Sequence, residues 1–453
     1  MGSPSIYDES VSGASPTRDS RSAAHSTAII ALALGLWGVG AYAFYLLAGR
    51  LLGPEDYGLA AALQAVIVAI ALPAIALQWG VAKAIAGSGS GIRAGADARA
   101  VYRHALVRYT ALTAGLAVVA TAITITIGLY RSGTPVGPLV ATYWAAVPII
   151  PLVLGMGALQ GEHRYWGFAG SYGLTGILRA PLLLGLLALP LIGSVEATSI
   201  ATGIPYLLGA IIAIWLTREI LAGPRKPSSE VWGAFSHSVT GAITGLTGIA
   251  ILTNADVVAA KLGFGGDEAG YFGATAIIAK ALLIVPQALT VVLLPRVAER
   301  EKAGHPTGSL LAGGVAVMTA AGLLAMALGA VLAPAIVSIT FGQAFEPAAD
   351  LVVPFLGATT LLGALLILVN HHVGRSDRRF AWVVGILAVL QIGLLIPFSG
   401  TPQQIINVDA VVAGLGLVIH EIIYGRTDQS MLRGLGHQAR AVMRRATSTG
   451  GAR

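Results

Sequence analysis

The sequence predicts an all-α integral membrane protein of about 12 transmembrane helices, arranged as two six-helix lobes related by a parallel repeat. Three observations predict it. The chain is 55% hydrophobic and only 11% charged over 453 residues, whereas a soluble domain carries about a quarter charged residues. Helices that are apolar all round persist only where lipid or other helices surround them. The second observation is the distribution of positive charge, and the third is a repeated turn half a chain apart.

Crossing the hydrocarbon core takes about 20 apolar residues. Twelve segments meet this length, near 28–48, 59–81, 111–130, 139–159, 168–191, 199–216, 237–256, 271–295, 309–332, 351–370, 380–397 and 405–423. The first 27 residues are polar and Ser-rich and read as a disordered cytoplasmic tail. "MGSPSI" misses the myristoylation pattern because residue 6 is Ile. The first apolar run begins late and is too long for a cleavable signal, so it is expected to stay as an anchor.

With an even number of spans both termini share a side. Placing them in the cytoplasm puts 23 of the 28 Lys and Arg residues on that side and only Arg50, Arg131 and Lys261 opposite. This bias supports the orientation and the span count together. It also accounts for the net charge of +7 without nucleic-acid binding. No cysteine is present, which excludes disulfides, thiol catalysis and Cys-based metal sites.

"GPEDYGLAAALQAVIVAIALP" from Gly53 and "GGDEAGYFGATAIIAKALLIVP" from Gly265 share a glycine, an acidic pair, a second glycine five residues on and a long apolar run. Both join an odd span to an even one on the outer face, so the halves run parallel. The expected organisation is an N-terminal tail (1–27), an N-lobe (28–216), a cytoplasmic linker (217–236), a C-lobe (237–423) and a basic C-terminal tail (424–453) lying against the inner leaflet.

Two cations fall inside spans. Arg179 lies about 16 Å from one face and Lys280 about 14 Å from the other, at 1.5 Å per residue. Intramembrane charge is costly and usually faces a water-filled cavity. Each half contributes one cation, with Asp256, Asp409 and Glu421 assigned to span ends, so an anionic substrate is the expected counter-ion. Asn254 and Asp256 together suggest a site for a coupling cation. His420–Glu421 reads as a polar pair near the inner headgroups. His371–His372 reads as part of a basic inner loop without zinc-site spacing. "GAITG" at 241–245 matches a close-packing motif. Prolines 148, 151, 181, 190 and 286 are placed to bend spans.

Four stretches carry a resemblance: "GRLLGPEDYGLAAAL", "ALQGEHRYWGF", "KLGFGGDEAGYFGATAIIAKALLIVPQALTVVLLPRVAE" and "FGQAFEPAADLVVPFL". Together they resemble the polysaccharide-biosynthesis, O-antigen-type flippases of the multidrug/oligosaccharidyl-lipid/polysaccharide (MOP) exporter superfamily, over about residues 28–423. The resemblance implies a MATE-like fold and transport rather than catalysis. It implies movement of a polyprenyl-diphosphate-linked oligosaccharide from the inner to the outer leaflet of a bacterial cytoplasmic membrane, for envelope glycan assembly. The implied partners are that substrate, membrane lipids and envelope glycan-assembly proteins, with no nucleic acid and no cofactor. Arg179 and Lys280 would be the cavity cations that meet the diphosphate, and Arg50 a third cation at the outer exit. Lipid II flippases carry charges in the first span and usually have fourteen spans; here the first span has none.

Two other functions compete. An ion-coupled multidrug or metabolite exporter would share the architecture. A membrane glycosyltransferase or polymerase would use Glu55–Asp56 as catalytic carboxylates, but its acceptor needs larger outer loops. The echo of that acidic pair at Asp267–Glu268 instead marks a structural turn.

Overall fold

The computed structural model describes residues 18–87, 95–222, 226–289, 297, 300, 307–374, 378–427 and 429–434. Most of the expected N-terminal tail and the basic tail beyond residue 434 lie outside them. Helices account for nearly all of the described residues, and no strand occurs among these.

The chain runs through α1 (Arg18–Gly87), α2 (Ala96–Tyr130), α3 (Val136–Ala146), α4 (Ile149–Gly161), α5 (Tyr165–Ile177), α6 (Arg179–Leu187), α7 (Ser194–Leu216) and α8 (Arg218–Leu221). The second half holds α9 (Ser229–Gly263), α10 (Gly266–Lys280), α11 (Gly308–Thr340), α12 (Ala349–Gly374), α13 (Arg378–Leu395) and α14 (Pro402–Tyr424). Among the described residues ten helical stretches are long and apolar enough to cross a membrane, and a shorter apolar helix, Arg379–Leu395, adds another. The first stretch is two crossings in one. Gly53 breaks it with φ 74°, ψ 171°, a left-handed geometry that glycine adopts without steric cost. Pro54 then starts the second crossing, needing no N–H partner in a first turn. Among the described residues this makes twelve crossings, the number expected from composition, and the protein is a multi-pass membrane protein.

Several crossings extend past their apolar edges. Span seven is the clearest case: it starts at Ser229, where the Ser228 side chain accepts from the Val231 N–H, and continues to Gly263. The expected linker 217–236 is therefore partly helix. Trp232 lies edge-on to His104, and Phe235 and Val239 pack where Gly80 leaves room, so the start of α9 leans on α1 and α2.

Prolines divide two spans. Span four breaks between α3 and α4 at Val147–Pro148, where Pro148 offers no N–H to the preceding turn. Span five breaks at Leu178, three residues before Pro181, whose missing N–H leaves Ile177 without its helical donor. Span eight tightens into a 3-10 turn, Ala281–Leu283, directly after Lys280 and ahead of Pro286.

The repeated turns meet each other. A Cβ at Gly58 would stand 2.7 Å from the Gly270 nitrogen, and one at Gly273 would stand 2.9 Å from the Ala61 Cβ. Gly58 and Gly270 are the second glycines of the two repeats, so the halves touch through equivalent positions. The left-handed glycine of the second turn is Gly266 (φ 60°), one residue after Gly265. Tyr57 inserts beside them, edge-on to Phe341 and Phe345 at 5.5 and 5.6 Å. These contacts close the two halves together on the cation-poor face.

Two apolar cores organise the bundle. One gathers α9–α14 around Phe272, Phe341, Phe345 and Phe355, and takes in Phe44 and Tyr57 of α1. The other gathers residues 67–85 of α1 with α4 and α7, and takes in Phe235 and Val239 of α9. The "GAITG" glycines are not the close contact expected of them: Gly241 has open space beside it, and the approach falls at Gly248, where a Cβ would stand 2.8 Å from Val384.

Candidate functional site

Both intramembrane cations sit at helix breaks. Arg179 opens α6 after the Leu178 break, and Lys280 ends α10 before the 3-10 turn. Their surroundings differ, and each differs from the expected open, unpaired cation.

Arg179 is 2% exposed. A close crossing of spans one and five, where a Cβ at Gly40 would stand 2.4 Å from Gly176 backbone, brings Trp37 alongside it. The guanidinium lies 5.9 Å from the Trp37 ring and 4.9 Å from the Tyr206 ring. Its Nε donates to the Thr175 carbonyl at 3.0 Å, and an Nη donates to the Tyr206 hydroxyl. The Thr175 bond uses a carbonyl near the helix break, and the ring faces supply attraction that a lone buried cation lacks. Trp37 stacks on Tyr172 at 5.6 Å, which extends the aromatic wall. No carboxylate pairs with Arg179 among the described residues.

Lys280 has a counter-ion. Its Nζ lies 2.7 Å from Asp256 Oδ2 and donates to the Thr253 carbonyl at 2.7 Å. The side chain of Lys280 is 17% exposed and that of Asp256 1%. The expectation that both central cations lack partners is corrected here. Asp256 lies about two turns inside α9, because the helix runs on to Gly263. Lys280 lies about 21 Å along α10, deeper than its apolar edge suggested. Its stem tilts back toward the helix N-terminus, as all helical side chains do, and this carries the ammonium to Asp256.

A second carboxylate joins this pair. Asp409 of α14 lies beside Asp256 and accepts from the Gln391 Nε2 at 2.7 Å. Gln391 also donates to the Leu252 carbonyl at 3.4 Å. Asp256 thus lies between the Lys280 ammonium and a second carboxyl group, that of Asp409. Gln391 Oε1 is buried and has no hydrogen-bond partner among the described residues. Asn254 donates to the Ala250 carbonyl and the Thr253 hydroxyl at 2.9 and 2.8 Å; its amide holds the backbone turn at which Thr253 meets Lys280. The sequence placed Asp409 at a span end and did not single out Gln391. The signal was present: Asp409 lies seven residues inside a helix that begins at Pro402.

Arg50 is apart from both. It is exposed, and its Nε donates to the Thr340 carbonyl at 3.0 Å while an Nη donates to the Ile339 carbonyl. These are the last carbonyls of α11, so Arg50 completes a helix C-terminus across the two halves. Asp56 accepts from Ser194 Oγ at 2.5 Å, tying the first turn to the start of α7.

The histidines form a different cluster from the one expected. His371 and His372 lie buried on α12, not in a loop. His372 Nε2 is 3.1 Å from His420 Nε2, and Tyr424 stacks on His372 at 4.4 Å. Glu421 accepts from the backbone N–H groups of Met431 and Leu432 at 3.2 and 3.3 Å and so fastens the start of the C-terminal tail. Among the described residues no group of three or more His, Cys, Asp or Glu is arranged to hold a metal.

No protein-family profile matches this sequence, and no curated protein matches it. Solved structures do. The lipid II flippase MurJ in an inward closed conformation superposes with a TM-score of 0.68 at 11% identity, over 90% of each chain. An inward-facing multidrug-resistance MATE transporter of the MOP superfamily superposes with a TM-score of 0.63 at 17% identity, covering 88% of this chain and 97% of the other. A MOP transporter from Pyrococcus furiosus, described as having a binding pocket of reverse polarity, gives 0.55 at 18% identity, covering 88% and 95%. The chain thus shares the fold of these proteins, all-helical with MATE-like architecture.

Proposed function

We propose that this protein is an alternating-access flippase that moves a polyprenyl-diphosphate-linked oligosaccharide from the inner to the outer leaflet during envelope glycan synthesis. The observation that carries the reading is Arg179: a guanidinium held within the membrane by aromatic rings, with no carboxylate partner among the described residues. A forked cation in a low-dielectric setting suits a diphosphate better than a cationic drug. The fold likeness to a lipid II flippase supports the same class of substrate.

In this reading the halves, 28–216 and 237–423, rock about their shared core. The conformation here is closed on the cation-poor face by Arg50, Tyr57, Gly58 and Gly270. Substrate enters from the cation-rich face, and the diphosphate draws Arg179 away from Tyr206. Lys280, neutralised by Asp256, is not a free donor to the diphosphate in this conformation. Arg50 leaves the α11 carbonyls when the outer face opens and meets the departing diphosphate there.

The surplus carboxylate at Asp256–Asp409 favours a second element, ion coupling. One ammonium balances one carboxylate, and a proton or monovalent cation near Asp256 and Asn254 would balance the other. The same feature supports the competing reading, an ion-coupled multidrug or metabolite exporter. Purified protein in vesicles separates them. Translocation of a fluorescent polyprenyl-diphosphate oligosaccharide supports the flippase. Gradient-driven efflux of a cationic dye without that translocation overturns it.

A further inference from the structure

A groove opens toward lipid on the side formed by α2, α3, α4 and α7, and no part of the transport reading uses it. Its volume is about 790 Å³, within the range of sites that hold a single small molecule or chain. The floor forms where α3 and α7 cross closely, since a Cβ at Gly203 would stand 2.8 Å from the Ala145 Cα. A Thr142–Ser199 hydrogen bond of 2.8 Å pins that crossing, and a Thr124–Tyr143 bond of 3.2 Å ties α2 to α3. Ile125, Trp144 and Leu207 form the walls, each about half exposed to the bilayer.

The trough is apolar along its length, but its rim carries a carboxylate. Glu196 sits in the first turn of α7 at the cation-poor face. Gly137, in the first turn of α3, makes room for it: a Cβ there would stand 2.4 Å from Glu196 Oε1. No Lys or Arg lines the groove. Along α7 the lining runs from Glu196 to Leu207, about 16 Å at 1.5 Å per residue. Along α2 the lining runs further, from Ile125 to Thr110, about 22 Å by the same rise.

We propose that this groove binds one phospholipid of the leaflet at the cation-poor face, with an acyl chain in the trough and the headgroup amine on Glu196. The apolar trough selects an acyl chain, and the carboxylate at its rim selects an amine. The same carboxylate repels a diphosphate, so the groove is not a station for the proposed transport substrate, and the inference stands whether or not the flippase reading does. Phosphatidylethanolamine, with three N–H donors on its amine, fits Glu196; phosphatidylcholine has none to give.

Trp144 reports on the groove directly. Wild-type protein, Trp144→Phe and Glu196→Gln are placed in phosphatidylcholine nanodiscs containing a brominated-chain phospholipid, and tryptophan quenching is compared. The Trp144-dependent quenching should be about threefold stronger with brominated phosphatidylethanolamine than with brominated phosphatidylcholine, as expected for a partly solvated ion pair. Brominated phosphatidylglycerol should quench least. Glu196→Gln, which keeps the side-chain volume, should bring the ratio near one while helix content is unchanged. Equal quenching by the amine and choline lipids in wild type, or a preference that survives Glu196→Gln, overturns the proposal.

Discussion

Arg50, at the end of the first crossing, donates through Nε to the carbonyl of Thr340 at 3.0 Å, at the far end of α11. A cation from the first half of the chain thereby completes a helix of the second half. The bond can form only while the halves are together on the cation-poor face, so it acts as a latch on that face. A cation at a helix C-terminus contributes about 0.3–1 kcal/mol, which is about a two- to fivefold weight in a two-state equilibrium. Arg50→Gln should raise the open population by that factor. The chain has no native cysteine, so a single cysteine introduced beside the seam can be read by thiol labelling. A labelling rate equal to that of the unaltered background would remove the latch.

Gly58 and Gly270 make the same face intolerant of side chains. A Cβ at Gly270 would stand 1.9 Å from the Pro54 carbonyl oxygen, and overpacking of this kind costs about 1–3 kcal/mol. Gly270→Val should hold the cation-poor face open and stop turnover while leaving helix content intact. Distances between spin labels on the Gly53 and Gly342 turns should lengthen; an unchanged distance distribution would show that the contact is not the seal.

Asp256 and Lys280 form a pair that is costly to break on one side. Removing one partner of a buried ion pair typically costs about 3–5 kcal/mol, while replacing both is often near neutral. The Lys280 side chain is 17% exposed, so the cost here should fall toward the lower end of that range. Asp256→Leu should lower the thermal midpoint in detergent by several degrees, and Lys280→Met in the same chain should recover most of the loss. A double variant as unstable as the single would mean that the pair does not act as a unit.

In the proposed mechanism the carboxylate surplus gives transport a cation dependence. Asp409→Asn leaves one ammonium against one carboxylate, so the driving effect of a proton or sodium gradient should fall at least tenfold while downhill movement persists. Transport in vesicles with and without each gradient measures this. An undiminished gradient response would place coupling elsewhere.

Much of the architecture was legible because membrane composition leaves few alternatives. Long uncharged runs must be helices, and the bias of Lys and Arg pointed to an even number of crossings. The paired turns at Gly53 and Gly265 were visible as a repeat, although their direct contact was not, since a repeat says nothing of which copies touch. The site was less legible for one physical reason. Asp256 ends an apolar run, and a charge at the end of such a run reads as the edge of the bilayer. Here Lys280 neutralises it and α9 continues for two more turns. Two residues 24 apart on different helices thus annulled each other's signal. Arg179 showed itself because nothing on its own helix offsets it, but the rings that hold it, Trp37 and Tyr206, are ordinary residues of apolar spans. His371 and His372 were placed in a loop because adjacent polar residues that close an apolar run resemble one in sequence, whereas His372 meets His420 of another helix.

The most direct test of the central claim uses Arg179 and the proposed substrate together. Wild-type protein, Arg179→Lys and Arg179→Ala are reconstituted in vesicles containing a fluorescent polyprenyl-diphosphate oligosaccharide, and its appearance in the opposite leaflet is timed. Wild type should translocate it. Arg179→Lys keeps the charge but loses the fork and should be slower by about tenfold, the equivalent of one charge-assisted hydrogen bond of roughly 1.5 kcal/mol. Arg179→Ala should be inactive while retaining its helix content. Translocation at wild-type rate by a folded Arg179→Ala protein would contradict the account.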